Sequence, residues 1–122
     1  MNFAERADMV ALEVAATLAG TTQTHLLQRA AMKRPRVIVF DHSQLGPRFP
    51  RWQFDAAVWP VVQRLAAAMD GTPTSMLTWL ETPLGAFEGR TPRAALEQGE
   101  SRERVLDVAK FDGYCDASPH PE

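Results

Sequence analysis

The sequence has a single cysteine, Cys115, and this scarcity excludes an internal disulfide. A long hydrophobic run is also missing: the longest apolar stretch, residues 56–62, contains Pro60, whereas a membrane-spanning helix needs about 20 apolar residues. The first residues place Glu5 beside Arg6 and have no apolar core before a small-residue cleavage site, so we expect no secretory signal. Together these absences predict a protein of the reducing cytoplasm that has no membrane partner.

Groups of residues that carry catalysis or bind metals are missing as well. No histidine stands in a context that would make it a base for Cys115, and the donors Cys115, Asp116 and His120 lack the paired spacing of a structural zinc site. Gly85 and Gly89 have neither the preceding strand nor the following lysine of a phosphate-binding loop. We therefore expect no enzyme activity, no cofactor and no metal. Substitution of Cys115 or of any histidine is expected to be tolerated.

What is present is an ordinary globular composition with an uneven charge distribution. The 122 residues, 45% hydrophobic and 23% charged, suit one domain or two small ones that share a core. Residues 1–64 carry eight basic and five acidic residues, whereas residues 65–122 carry five basic and ten acidic ones. Six of the basic residues lie within residues 29–51, opposed there only by Asp41: Arg29, Lys33, Arg34, Arg36, Arg48 and Arg51. This density suits contacts with phosphates, and a solvated surface is the plain alternative.

The N-terminal part of the sequence predicts two helices joined by a tight turn. Residues 8–19 place apolar side chains at helical spacing and stop at Gly20, and a second helix begins at Thr21 or Thr22 and ends before Pro35. This is the helix-turn-helix arrangement, whose second helix can lie in a DNA groove. Such hairpins of helices also occur in proteins that do not bind DNA.

The remaining elements are a predicted β-hairpin and four short helices. Residues 36–41 and 48–54, separated by turn residues, predict a β-hairpin wing. The helices are expected at about 55–69, starting near Trp59 or kinked at Pro60, at 74–80, from Pro92 to Gly99, and from Ser101 to Gly113. The fold class is therefore mainly α, with an N-terminal helix-turn-helix and a short β-hairpin wing followed by a small helical domain. The expected boundaries are 1–51, 52–112 and an acidic flexible tail, 113–122.

Two motifs, in order, carry a resemblance to a known family. Residues 79–96 read Trp-Leu-Glu-Thr-Pro-Leu-Gly-Ala-Phe-Glu-Gly-Arg-Thr-Pro-Arg-Ala-Ala-Leu, and residues 49–55 read Phe-Pro-Arg-Trp-Gln-Phe-Asp. Together they resemble the Xre/MbcA/ParS antitoxin toxin-binding domain and the element that links it to an N-terminal helix-turn-helix, over about residues 8–112. The sequence departs from the family pattern at Leu84, where asparagine is usual, and at Glu88, where a smaller or amide residue is common.

The resemblance implies a type II antitoxin whose partner is a RES-domain toxin, a protein related to ADP-ribosyltransferases that consumes NAD. We expect a homo-oligomer in the complex. The expected toxin-binding residues are Trp79, Leu84, Phe87, Arg90, Arg93, Phe111, Asp112, Tyr114 and Asp116. The tail is expected to enter the toxin's active site, because its carboxylates suit the cations that hold a dinucleotide pyrophosphate.

The predicted helix-turn-helix supplies the candidate DNA-binding residues. Amide and arginine side chains can recognise base edges, and flanking cations can contact phosphates. The candidates are Gln23, Thr24, Gln28 and Arg29 on the second helix, with Lys33, Arg34, Arg36 and Arg48 beside it. Two alternatives stay open: a neutralising or immunity protein that binds no DNA, and a transcription regulator that has no toxin.

Overall fold

The computed structural model describes residues 3–69 and 71–117, with side chains described as far as residue 112. The described chain is mainly helical and carries one small antiparallel sheet. In chain order the elements are β1 (Met9–Ala11), α1 (Leu12–Ala19), α2 (Gln23–Ala30), β2 (Phe40–His42), β3 (Gly46–Pro50), α3 (Trp59–Met69), α4 (Pro73–Leu80), α5 (Pro92–Glu97) and α6 (Arg102–Ala117). Short 3-10 turns occur at Phe3–Glu5, Arg51–Phe54 and Gly85–Phe87. None of the helices in these two ranges is both long and apolar enough to cross a bilayer.

The sheet has the order β1-β3-β2, so the predicted hairpin of β2 and β3 is shorter than expected and gains a third strand. The third strand, β1, corrects the prediction that residues 8–19 are helical throughout. Met9 pairs with Pro50 and Ala11 with Arg48, and the carbonyl of Asp8 accepts the N–H of Arg51 at 2.8 Å. This long-range pairing overrides the local helical spacing, which cannot register a distant strand.

The second correction concerns residues 51–54, which the alternation of Trp52 and Phe54 predicts as a strand. The segment is a 3-10 turn, and Trp52, Gln53 and Phe54 are all buried. Strand β3 ends at Pro50, which has no N–H to continue the ladder. The antiparallel register between β2 and β3 would place Ile38 opposite Pro50. Instead, the amide of Gln53 donates to the carbonyl of Ile38 and accepts its N–H, both at 2.7 Å.

Helices α1 and α2 form the expected pair joined by Gly20–Thr22. Gly20 ends α1 at φ +70°, a conformation that glycine adopts without steric cost, as the sequence predicts. Thr22 caps α2 by accepting the N–H of His25 at 3.1 Å. Leu26 is the fully buried side chain of α2, and it packs with Ala15 and Phe49.

Local sequence signals account for the starts of α3 and α5 but not for the end of α6. α3 starts at Trp59, which places Pro60 in its first turn, where a missing N–H costs no hydrogen bond. Thr91 caps α5 by accepting the N–H of Ala94 at 3.0 Å. α6 continues past Gly113, where the sequence predicts its end, to Ala117. The first five residues of the predicted tail are therefore helical, and its last five residues lie outside the described chain.

The buried side chains form two clusters that meet at Trp59. One cluster joins α1, α2 and β3, and the larger one joins α3, α4, α5 and α6. Val37 belongs to the first and its neighbour Ile38 to the second, so the segment before β2 connects the two cores. The larger cluster also includes Met9 and Ile38 from the N-terminal part of the chain, and the predicted division at residue 51 stays a prediction.

Candidate functional site

The segment that carries the family resemblance forms the end of α4, a loop at residues 81–91, and α5. Phe87 is fully buried and anchors this loop to the core. Trp79 is 8% exposed, and its indole Nε1 donates to the Asp112 carboxylate at 2.9 Å. Leu84 is partly buried against the same core. Trp79 and Phe87 therefore lie in the core and support the loop above them, which corrects their assignment as direct contact residues.

Two arginines hold the loop by its carbonyl groups. Arg90 donates from Nε to the carbonyl of Phe87 at 2.9 Å, and its terminal nitrogens contact Gln98 and Glu100. Arg104 of α6 donates to the carbonyl of Ala86 at 2.6 Å and lies over the Phe87 ring at 5.2 Å. The guanidinium of Arg90, predicted to bind a toxin, is thus engaged within the fold. The contact of Arg104 with the loop could not be predicted from the sequence, because the only local signal at Arg104 is its four-residue spacing from Glu100.

Arg93, the second predicted toxin-binding arginine, also belongs to an internal network. Its guanidinium stacks on Trp52 at 4.5 Å from the ring centroid and pairs with Glu97 at 3.1 Å. It lies 3.6 Å from Glu81, which in turn accepts two hydrogen bonds from Arg6. The side chain is one-third exposed, so one edge of it remains available to a partner.

Arg6 ties the N-terminal segment to the end of α4. It donates to both oxygens of Glu81, at 2.7 and 2.8 Å, and to the carboxylate of Asp8, which also accepts from the indole of Trp52. Hydrogen bonding to Glu81 is the main cause that raises the pKa of Arg6 above its ordinary value, against the opposing effect of burial. The sequence carries no signal for this network, because its members are far apart in the chain.

The predicted contact residues on α6 divide between the core and the surface. Phe111 is 68% exposed, the largest exposure among the big hydrophobic side chains of the described residues. Asp112 is engaged with Trp79. The side chains of Tyr114 and Asp116 lie outside the described residues. Phe111 follows Arg104 and Val108 along one stripe of α6, so it continues the surface that begins at the loop.

A second surface lies on α2 and on the segment that follows it. Gln23, Thr24 and Gln28 are exposed, and Arg29 is partly exposed, so this helix presents the predicted polar face to solvent. Lys33, Arg34 and Arg36 are exposed in the segment between α2 and β2. These predicted DNA-binding residues are thus exposed, and Arg34 and Arg36 line a groove together with residues of α3 and α6.

Arg48 does not belong to that open surface. It lies in the central strand β3 and donates to the carbonyl of Met9 at 3.3 Å. Its Nε is buried and has no partner among the described residues. Its guanidinium is thus partly engaged within the fold, and its assignment as a phosphate contact stays a prediction.

The histidines and acids of the described chain do not assemble into a metal site. No group of three histidine, cysteine, aspartate or glutamate side chains in residues 3–69 and 71–112 is arranged to hold an ion. His42 has a structural contact instead: its Nδ1 accepts the N–H groups of Gln44 and Leu45, each at 3.1 Å, and so caps the turn between β2 and β3.

Comparison with known proteins returns no relative: no protein-family model matches the chain, and neither a curated protein nor a solved structure matches it significantly. Within the fold the two motif segments are in contact. Trp52 of residues 49–55 packs against Arg93 of residues 79–96. The segments are 24 residues or more apart in the sequence, so this contact is a property of the fold and not of local spacing.

Proposed function

We propose that this protein is the antitoxin of a type II toxin–antitoxin system, which binds a RES-like, ADP-ribosyltransferase-related toxin and regulates its own operon by binding DNA. The loop at residues 81–91 together with the Phe111 stripe of α6 forms the toxin-binding surface. Helix α2 and residues 31–36 form the DNA-binding surface. Such a protein inhibits by covering its partner and needs no catalytic residue. The motifs at 49–55 and 79–96 support the proposal.

The observation that carries the DNA-binding part is a contrast in how cations are paired. Four of the five arginines in residues 52–112 have acidic partners, Arg102 being the exception: Arg64 with Glu103 at 3.0 Å, Arg90 with Glu100 at 3.5 Å, Arg93 with Glu97 at 3.1 Å and Arg104 with Glu100 at 3.0 Å. The side chains of Arg29, Lys33, Arg36 and Arg51 form no ion pair or hydrogen bond within the described residues. Uncompensated cations beside an exposed polar helix favour a polyanionic ligand.

Removing two of these cations is expected to weaken DNA binding and to make it less dependent on salt concentration. The variant K33A/R36A should lower the slope of log affinity against log salt concentration by about 2, because each lost phosphate contact accounts for about 0.9. The measurement is a titration of the duplex upstream of the gene at several salt concentrations. The matched control is R102A, which removes an exposed arginine of α6 and should leave the slope unchanged. Absence of binding by the unmodified protein at low salt would favour the neutralising protein that binds no DNA.

Truncation of the exposed phenylalanine is expected to weaken the toxin complex without affecting folding. Phe111 is 68% exposed, so F111A removes little buried area within the chain. Aromatic side chains are frequent binding hot spots, and their loss commonly lowers affinity by about tenfold or more. The measurement is the dissociation constant with the protein encoded by the adjacent reading frame, together with the NAD consumption of that protein.

The matched control for this experiment is L45A. Leu45 is 61% exposed, but it lies in the turn between β2 and β3 rather than on α6. L45A should bind and inhibit as the unmodified protein does. Equal affinity of F111A and L45A would exclude Phe111 from the interface, and failure of the unmodified protein to co-purify with the neighbouring gene product would favour a stand-alone transcription regulator.

A further inference from the structure

The loop between α4 and α5 is fixed by its own backbone as well as by the two arginines. The N–H of Leu84 donates to the carbonyl of Arg90 at 3.1 Å, and the N–H of Gly89 donates to the carbonyl of Leu84 at 2.9 Å. With Phe87 buried beneath it, the loop closes on itself. Its exposed tip therefore has a defined position relative to α6.

Glu88, at this tip, adopts a backbone conformation that glutamate rarely takes. Its φ is +60°, and it is the one residue other than glycine with a positive φ among the described residues. The left-handed conformation costs a residue with a side chain about 1–2 kcal/mol, and glycine or asparagine accepts it more readily. The sequence thus places an unfavourable residue type where the backbone favours a different one.

Among the described residues, no contact compensates for this choice. The Glu88 side chain is 88% exposed, and its one ion contact is with Arg90 at 3.9 Å. That contact is long and exposed, and such pairs contribute little to stability. Arg90 is already bonded to the carbonyl of Phe87 and to Gln98. An unfavourable residue that gains nothing within its own chain points to a role outside it.

We infer that Glu88 is a specificity-determining residue of the toxin-binding surface, and that its carboxylate pairs with an arginine or lysine of the toxin. This inference rests on the proposed function. The other exposed residues of the tip are small or compact, Pro83, Gly85, Ala86 and Gly89, so the carboxylate is the group that projects furthest. Because the backbone of the tip is held in place, forming a charge-assisted pair with this carboxylate requires ordering only the side chain on binding.

Three substitutions of Glu88 separate strain from charge. E88G and E88N relieve the backbone strain and remove the charge, so the unfolding midpoint should rise by about 2–6 °C while the affinity for the toxin falls about tenfold. E88Q keeps the strain and the size but loses the charge, so its affinity should fall as much with the midpoint unchanged. D41N removes another exposed carboxylate, which lies on β2, and should change neither quantity.

The experiment measures the dissociation constant of each full-length variant for the protein encoded by the adjacent reading frame, at low and high salt, and its thermal unfolding. The expected result is a smaller salt dependence for E88Q than for the unmodified protein. If the unmodified protein binds and E88Q binds equally well, this inference is overturned while the proposed function stands. If the unmodified protein does not bind, the proposed function fails and the inference fails with it.

Discussion

Replacement of Gln53 by leucine is expected to lower the free energy of unfolding by about 2–5 kcal/mol, because it leaves two buried polar groups of Ile38 without partners. Gln53 is fully buried, and its amide supplies the donor that Pro50 lacks together with an acceptor for the N–H of Ile38. Water cannot replace either hydrogen bond without entering the contact between the two cores. Urea denaturation monitored by circular dichroism measures the change.

Two further variants test this explanation. Q53M matches the length of glutamine and should destabilise about as much as Q53L, so the effect follows the lost hydrogen bonds and not the shape. Q53E retains an acceptor for the N–H of Ile38 but loses the donor and buries a carboxylate, so it should be more destabilising at neutral pH than at acidic pH. Unfolding free energies of Q53L and Q53M within about 0.5 kcal/mol of the unmodified protein would show that Ile38 finds other partners.

The motif at residues 49–55 contains this glutamine, but the sequence does not reveal why. Phe49-Pro50-Arg51-Trp52-Gln53-Phe54-Asp55 is visible as a pattern, and the alternation of Trp52 and Phe54 even predicts the wrong local structure. The reason for Gln53 depends on Ile38, 15 residues earlier, and on the end of the β3 ladder at Pro50. A side chain that takes the place of a backbone hydrogen bond between strands leaves no periodic pattern in the sequence. It can therefore be recognised only in the folded structure.

Elements set by local chemistry were the most predictable. The glycine at the end of α1, the threonine cap of α5 and the start of α3 at Trp59 follow from residues within one turn of each boundary. Strand β1 and the continuation of α6 to Ala117 were not predicted. The first depends on pairing with β3, and the second has no strong stop signal before Pro119, because a single glycine inside a helix costs only about 1 kcal/mol.

In the candidate site as well, features set by local sequence could be predicted and features set by distant contacts could not. The exposure of Gln23, Thr24 and Gln28 follows from the amphipathic pattern of α2, in which Leu26 is buried. The internal roles of Arg90 and Arg93 could not be predicted, because a charged residue in a loop or at a helix start carries no sign of its partner. Their engagement leaves Phe111, Glu88 and the exposed edge of Arg93 as the accessible parts of the proposed toxin-binding surface.

Replacement of Phe87 by alanine is expected to destabilise the protein by about 3–5 kcal/mol, the second large effect. The ring is fully buried, packs in the larger core and lies beneath the Arg104 guanidinium. Its removal leaves a cavity under a loop that is held by the carbonyls of Ala86 and Phe87. Because those carbonyls sit on either side of the lost anchor, the position of Glu88 should become less defined as well.

The conservative variant F87L separates packing from loop position. It keeps most of the buried volume and should cost about 1–1.5 kcal/mol, with toxin affinity close to that of the unmodified protein. F87A, measured at a temperature where it remains folded, should lose affinity in addition to stability, since the fixed tip that presents Glu88 is loosened. The measurements are urea denaturation and the dissociation constant with the adjacent gene product. If F87A were as stable as F87L, Phe87 would not be the anchor of the loop, and the fixed geometry on which the Glu88 pairing depends would have to come from the two arginines alone.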